Sequence, residues 1–189
     1  MVPFLVSLST VTVAEMGDRT QLLSLVLAAR YRRPWPILAG VLCATVANHA
    51  AAGLIGSRIG HAIAPARLDL LVGISMIAMA LWSLKADSLP GESTTVRGQG
   101  AFLGTLVAFF LAEIGDKTQL ATVALAAAYP SLVAVVAGTT TGMLIANAPV
   151  VFLGKAFSDR LPLKPLHYLA SVGFLALGIV FLVRSAYSL

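Results

Sequence analysis

A seven-residue stretch, Glu15-Met16-Gly17-Asp18-Arg19-Thr20-Gln21, recurs 98 positions later as Glu113-Ile114-Gly115-Asp116-Lys117-Thr118-Gln119. Both copies lie inside long apolar runs, and together they hold four of the chain's eight acidic residues. The same offset, without a gap, pairs Phe4 with Phe102, Leu27-Ala28-Ala29 with Leu125-Ala126-Ala127, and Tyr31 with Tyr129. It also pairs Ala39-Gly40 with Ala137-Gly138 and Gly56 with Gly154. Self-similarity at one fixed offset marks a duplicated structural unit. The matching polar residues are too rare in Ala/Leu-rich sequence for shared composition to explain them.

The solvent of this duplicated unit follows from its composition. Only 11% of residues are charged and the mean hydropathy is +0.90, against about 25% charged in soluble domains. Six apolar segments, roughly 3–29, 35–57, 67–86, 100–128, 131–154 and 166–184, each reach the about 20 residues that a bilayer-crossing helix needs. The runs are continuous rather than alternating, which disfavours membrane strands. The first run is expected to be a span and not a cleaved leader, since no basic segment precedes it. Arginines, lysines and prolines separate the segments, and Pro90-Gly91-Glu92-Ser93 marks the longest polar break.

The expected fold is an all-α membrane protein with six transmembrane helices in two three-helix repeats. Residues 1–86 form the first repeat, 87–98 a cytoplasmic linker, and 99–189 the second. Three spans per repeat place the second copy upside down relative to the first, so the repeats are inverted about an axis in the membrane plane. That axis would bring the two acidic motifs face to face near the midplane. One side would carry Arg30, Arg32, Arg33, Lys85, Arg97, Lys155, Arg160 and Lys164, the other Arg58, Arg67 and Arg184. The richer side is expected to be cytoplasmic, with both termini outside. The formal charge of +5 is thus a topology signal and not a nucleic-acid patch. A single cysteine, Cys43, excludes an internal disulfide.

A carboxylate at the bilayer centre costs about 2.5–3.5 kcal/mol, so four of them cost on the order of 10 kcal/mol before pairing. On a straight helix Glu15, Asp18 and Gln21 share one face, and Arg19 sits four residues after Glu15 in the favourable order for an ion pair. Thr20 points elsewhere and joins them only if the helix opens near Gly17, as transporter helices do. The first and fourth segments, about 27 residues each, leave room for such a break. Arg19 and Lys117 balance two of the four acids, leaving −2, which suits one divalent cation. The candidate metal ligands are Glu15, Asp18, Gln21, Glu113, Asp116 and Gln119, with Thr20 and Thr118 conditional on the break.

Oxygen donors are hard ligands suited to calcium, magnesium or manganese, and no motif carries the Cys or His that zinc or copper sites favour. Asn48 and Asn147 are possible additional ligands or interhelical hydrogen-bonders. His49, opposite Asn147 at the repeat offset, is expected to be a structural histidine with its hydrogen bonds satisfied, ahead of a proton relay. A crowded buried acid cluster takes up protons when empty, and a cation arriving at the same oxygens displaces them. Alternate exposure of that cluster to the two faces gives cation/proton exchange. The competing structural reading is a packing salt bridge without transport.

The doubled Glu-x-Gly-Asp-(Lys/Arg)-Thr, one copy opening each half of a six-span chain, resembles the Gdt family of cation/proton exchangers, relatives of human transmembrane protein 165. The resemblance implies export of manganese or calcium in exchange for protons, with no cofactor. It carries ion binding onto Glu15, Asp18, Thr20, Glu113, Asp116 and Thr118, and Arg19 and Lys117 stand at the family's basic position. The N-terminal extension and long central loop of eukaryotic relatives are not seen in this sequence, which implies a compact bacterial member in the inner membrane. Its expected partners are the lipid bilayer, the cation and protons. An intramembrane aspartyl protease is the runner-up, because Asp18 and Asp116 each follow a glycine and paired acids activate water. Its Gly-x-Gly-Asp motif, however, needs glycine where Glu15 and Glu113 stand. An exporter of small organic solutes suits inverted halves but leaves four carboxylates unexplained.

Overall fold

The computed structural model of the protein describes residues 1–84, 100–154 and 163–187. These residues form eight α-helices with no strand among them. They are α1 (Val2–Glu15), α2 (Arg19–Tyr31), α3 (Pro34–Ala62), α4 (Pro65–Ser83), α5 (Ala101–Glu113), α6 (Lys117–Ala128), α7 (Leu132–Leu153) and α8 (Leu163–Tyr187). Proline in the first turn starts α1, α3 and α4, where its missing N–H costs nothing and its fixed φ favours the helix.

Four helices, α3, α4, α7 and α8, are long and apolar enough to cross a membrane. They coincide with four of the six expected spans. The other two expected spans are not single helices. Residues 3–29 divide into α1 and α2 and residues 100–128 into α5 and α6, each at the acidic motif. The linker 87–98 and the cations Lys85, Arg97, Lys155 and Arg160 lie outside the described residues, as does the side chain of Lys164.

The packing crosses between the two halves of the sequence. α1 lies along α7, α3 along α5, and α4 along α8. Close approach depends on glycine. A Cβ on Gly40 would stand 2.8 Å from the Phe102 carbonyl oxygen, and one on Gly138 would stand 2.5 Å from that of Phe4. Both glycine and neighbour recur at the 98-residue offset, so the α3–α5 and α7–α1 contacts use the same small-residue solution. At one end of the α4–α8 pair, Arg184 meets Asp69 at 3.5 Å and Ser185 donates to the Ala66 carbonyl at 2.8 Å.

The polarity is inside-out. Outward-facing Leu54, Ile55, Leu71, Ile74, Val172 and Val180 are exposed, whereas Ser7, Glu15, Asp18, Thr20, His49, Thr105 and Thr118 are wholly buried. A hydrocarbon surround with polar groups kept to the interior is the arrangement expected of membrane helices. Apolar clusters line the remaining contacts, one around Val11, Leu27, Val41, Phe109 and Met143 and another around Met76, Leu125, Val135, Phe174 and Phe181.

Candidate metal centre

The helix breaks are made by the motif itself. Met16 is at φ −64°, ψ 116° and Gly17 at φ 84°, and the Asp18 N–H donates to the Glu15 carbonyl at 3.1 Å. This is a type II turn, which requires a positive φ at its third residue and hence glycine there. Ile114 (φ −62°, ψ 119°), Gly115 (φ 73°) and the 3.1 Å bond from Asp116 N–H to the Glu113 carbonyl repeat it. In each copy the glutamate ends one helix, the glycine turns the chain, and the aspartate is the N-cap of the next helix. Aspartate is among the preferred residues for that cap, and its charge faces the positive end of the helix dipole.

Each glutamine braces its own turn. Gly17 N–H donates to Gln21 Oε1 at 2.9 Å, and Gly115 N–H to Gln119 Oε1 at 2.7 Å. Gln21 Nε2 also donates to the Ala146 carbonyl at 2.9 Å. The oxygen expected to ligate a cation therefore already serves the turn in both copies.

The bases pair across the halves. Lys117 Nζ lies 2.5 Å from Asp18 Oδ1, and Arg19 Nη2 lies 2.9 Å from Asp116 Oδ1. The expected Glu15–Arg19 pairing within one helix is thus replaced, because the turn at Gly17 removes the four-residue helical spacing it depended on. The same turn brings in Thr20, whose hydroxyl donates to Glu15 Oε2. Thr118 donates to Asp116 Oδ2 through its hydroxyl at 3.1 Å and its N–H at 3.4 Å.

Three acids converge. One carboxylate oxygen from each of Glu15, Asp18 and Asp116 lies within 4.8 Å of the other two, and all three residues are buried. A hard cation binds oxygen at about 2.0–2.6 Å, so oxygens at this spacing can share one ion. Glu15 Oε1 is buried without a hydrogen bond among the described residues. A buried anionic oxygen in that condition demands a proton or a cation.

Glu113 is not part of this trio. Its Oε1 accepts from Thr45 at 2.7 Å and its Oε2 from Asn48 at 3.2 Å, both on α3. At the 98-residue offset Thr45 becomes Met143 and Asn48 becomes Ala146, so α7 offers Glu15 no equivalent side-chain donors. That difference accounts for one glutamate joining the cluster while its counterpart is held aside. Asn147 accepts from Ser24 at 2.6 Å and donates to the Met143 carbonyl at 3.0 Å, bridging α2 to its own helix. His49 is wholly buried, and no hydrogen bond reaches either ring nitrogen among the described residues.

Two contributors escape a reading of the sequence alone. Thr45 stands one helical turn before Asn48, a spacing that shares a face, and that was its only signal. His167 on α8 places Nε2 3.3 Å from the Gly17 carbonyl at the break.

The family model of the divalent cation/proton antiporter GDT1 matches residues 3–90 and 101–188. A Vibrio cholerae protein named "Putative manganese exporter" is 48% identical over 84% of this chain and 79% of its own length. A "GDT1-like protein" of Synechocystis is 29% identical over 94% of this chain and 95% of its own. "GDT1-like protein 4" of Oryza sativa subsp. indica is 28% identical over 84% and 65%. No solved structure matches the chain.

Proposed function

Since the chain belongs to the GDT1 family of divalent cation/proton antiporters, we propose that it exports a divalent cation in exchange for protons. The observation that carries this reading is the buried trio of Glu15, Asp18 and Asp116, an oxygen cage at two helix breaks, with Glu15 Oε1 accepting no hydrogen bond among the described residues. Manganese is the proposed first substrate, supported by the name of the Vibrio cholerae relative and by the hard donor set. Calcium, which takes the same kind of oxygens, is the competitor to test against it.

In this reading Glu15, Asp18 and Asp116 bind the ion, Thr20 and Thr118 orient two of them, and Glu113 is a fourth acid that exchanges places with Glu15 as the site changes sides. Arg19 and Lys117 hold the empty site's charge in check. Gln21 and Gln119 act first on the turns, and Asn48 on Glu113. Protons occupy the acids when the cation leaves.

The proposed architecture has six crossings, two of them discontinuous: α1 with α2 and α5 with α6. Residues 1–86 and 99–189 form inverted repeats joined by a cytoplasmic linker, 87–98. The two family matches begin 98 positions apart, at residues 3 and 101, which supports the duplication. The crossed ion pairs and the matching α3–α5 and α7–α1 glycine contacts support the pseudo-two-fold relation. We place the protein in the inner membrane with both termini outside, and alternating access as rocking of one half on the other about the cage. A transporter leaves no role for proteolysis by Asp18 and Asp116.

Manganese flux into sealed proteoliposomes under an imposed pH gradient, with calcium as competitor, tests the proposal. Asp18→Asn and Asp116→Asn should each abolish flux in protein that still elutes as a folded species. Near-native flux in both would remove these acids from the mechanism, and flux indifferent to the pH gradient would remove the proton.

A further inference from the structure

Where the ends of α2, α3 and α7 meet, they border an open cleft of about 540 Å³ lined by no residue of the acidic motifs. Its wall is apolar, formed by Leu25, Val26, Ile37, Val151, Phe152 and Leu153. Arg32 and Arg33 also line it, both exposed and neither side chain in an ion pair or hydrogen bond among the described residues. Arg32 is the only non-glycine residue with a positive φ there, at φ 51°, ψ 31°, and its N–H closes α2 onto the Ala28 carbonyl. Glycine or asparagine is the relaxed choice at a left-handed cap. An arginine held in strained backbone at a cavity mouth points to use of its side chain.

A second cavity, related to the first in part of its wall, shows a contrast. The 98-residue offset carries Ala28-Ala29 onto Ala126-Ala127, which line a smaller space of about 260 Å³ with His61, Asp69, Tyr129 and Arg184. At the same offset Arg32 and Arg33 become Pro130 and Ser131, and the arginine of this smaller space, Arg184 on α8, is paired with Asp69. Of the two, the larger and more apolar cavity is the one whose two guanidinium groups have no ion pair or hydrogen bond among the described residues.

We propose that the cleft between α2, α3 and α7 binds an anionic glycerophospholipid, its phosphate on Arg32 and Arg33 and the upper part of an acyl chain against the apolar wall. Guanidinium groups match phosphate oxygens with paired, charge-assisted hydrogen bonds. Trp35, 73% exposed at the start of α3, is an aromatic anchor at the interface level where a headgroup lies. The cavity is within the about 300–1,000 Å³ range of small-molecule sites. Free phosphate would leave the apolar wall unused, and a second copy of this face would bring arginines against arginines.

Trp35 supplies the readout. Its ring lies 5.4 Å from that of Phe152 in the cleft wall, and Trp82 is the only other tryptophan. In a Trp82→Phe background, Trp35 fluorescence is titrated with chain-brominated phosphatidylglycerol or chain-brominated phosphatidylcholine in mixed vesicles. The anionic quencher should reach half its effect at a mole fraction lower by on the order of tenfold. Arg32→Gly with Arg33→Gln should erase that preference, and glycine at position 32 relaxes the cap, so the fold is kept. Equal quenching by the two lipids, or a preference unchanged in the double variant, overturns the proposal. So does inorganic phosphate shifting Trp35 emission in lipid-free micelles and blocking the brominated anionic lipid, which would make the site one for a free anion.

Discussion

The two crossed ion pairs look equivalent in sequence, yet the structure makes them unequal, and substituting each base by glutamine measures the difference. Lys117 and Asp18 have side chains 3% and 0% exposed, so Lys117→Gln leaves a carboxylate in the interior without its cation. Breaking a buried pair from one side costs about 3–5 kcal/mol. At about 2–4 °C per kcal/mol for a chain of this size, the melting temperature in detergent should fall by roughly 6–20 °C. Arg19 is 31% exposed while Asp116 is only 4% exposed, so water screens this pair from the arginine's side alone, and Arg19→Gln should cost less than Lys117→Gln, about 1–3 kcal/mol. Lys117→Gln also makes the acid cluster one charge more negative, so saturating manganese should recover more of its melting temperature than it adds to the native protein. The double variant Asp18→Asn/Lys117→Gln should be less damaged than the sum of the single variants by about 0.5–3 kcal/mol. Equal losses for Lys117→Gln and Arg19→Gln, or strict additivity in the cycle, would refute the reasoning.

The glycines of the turns and of the helix contacts should fail differently. A Cβ on Gly115 meets nothing within 4 Å, so Gly115→Ala carries only the left-handed backbone penalty, about 1–2 kcal/mol. Gly40→Ala drives a methyl to 2.8 Å from the Phe102 carbonyl and should lower the melting temperature further by parting α3 from α5. Asn48→Ala removes one donor from Glu113, a hydrogen bond worth about 0.5–1.5 kcal/mol. It should let Glu113 approach the cage, tightening manganese binding by about tenfold in calorimetry while slowing transport. An unchanged affinity would mean that Asn48 does not hold Glu113 back.

The helical class and four of the six apolar spans were legible because they rest on local pattern and composition. The breaks were half legible. Gly17 marked a place for the helix to open, but a lone glycine inside an apolar run is also tolerated in a continuous helix. Only the following aspartate, acting as a cap, settles the turn. The partners of Arg19 and Lys117 were hidden because once the helix breaks, nearness in sequence no longer predicts nearness in space. Thr45 was hidden for another reason: a hydroxyl in an apolar helix usually bonds back to its own backbone. It becomes a donor to Glu113 only because glycine lets α3 lie against α5.

The reciprocal pairing has a genetic corollary. Each half carries a cation whose counter-ion was encoded in the other, so neither could be inherited, shuffled or expressed by itself without stranding one acid and one base in oil. A single copy could meet the same requirement only by pairing with a second copy of itself through the same face, and one chain carrying both halves makes that meeting automatic.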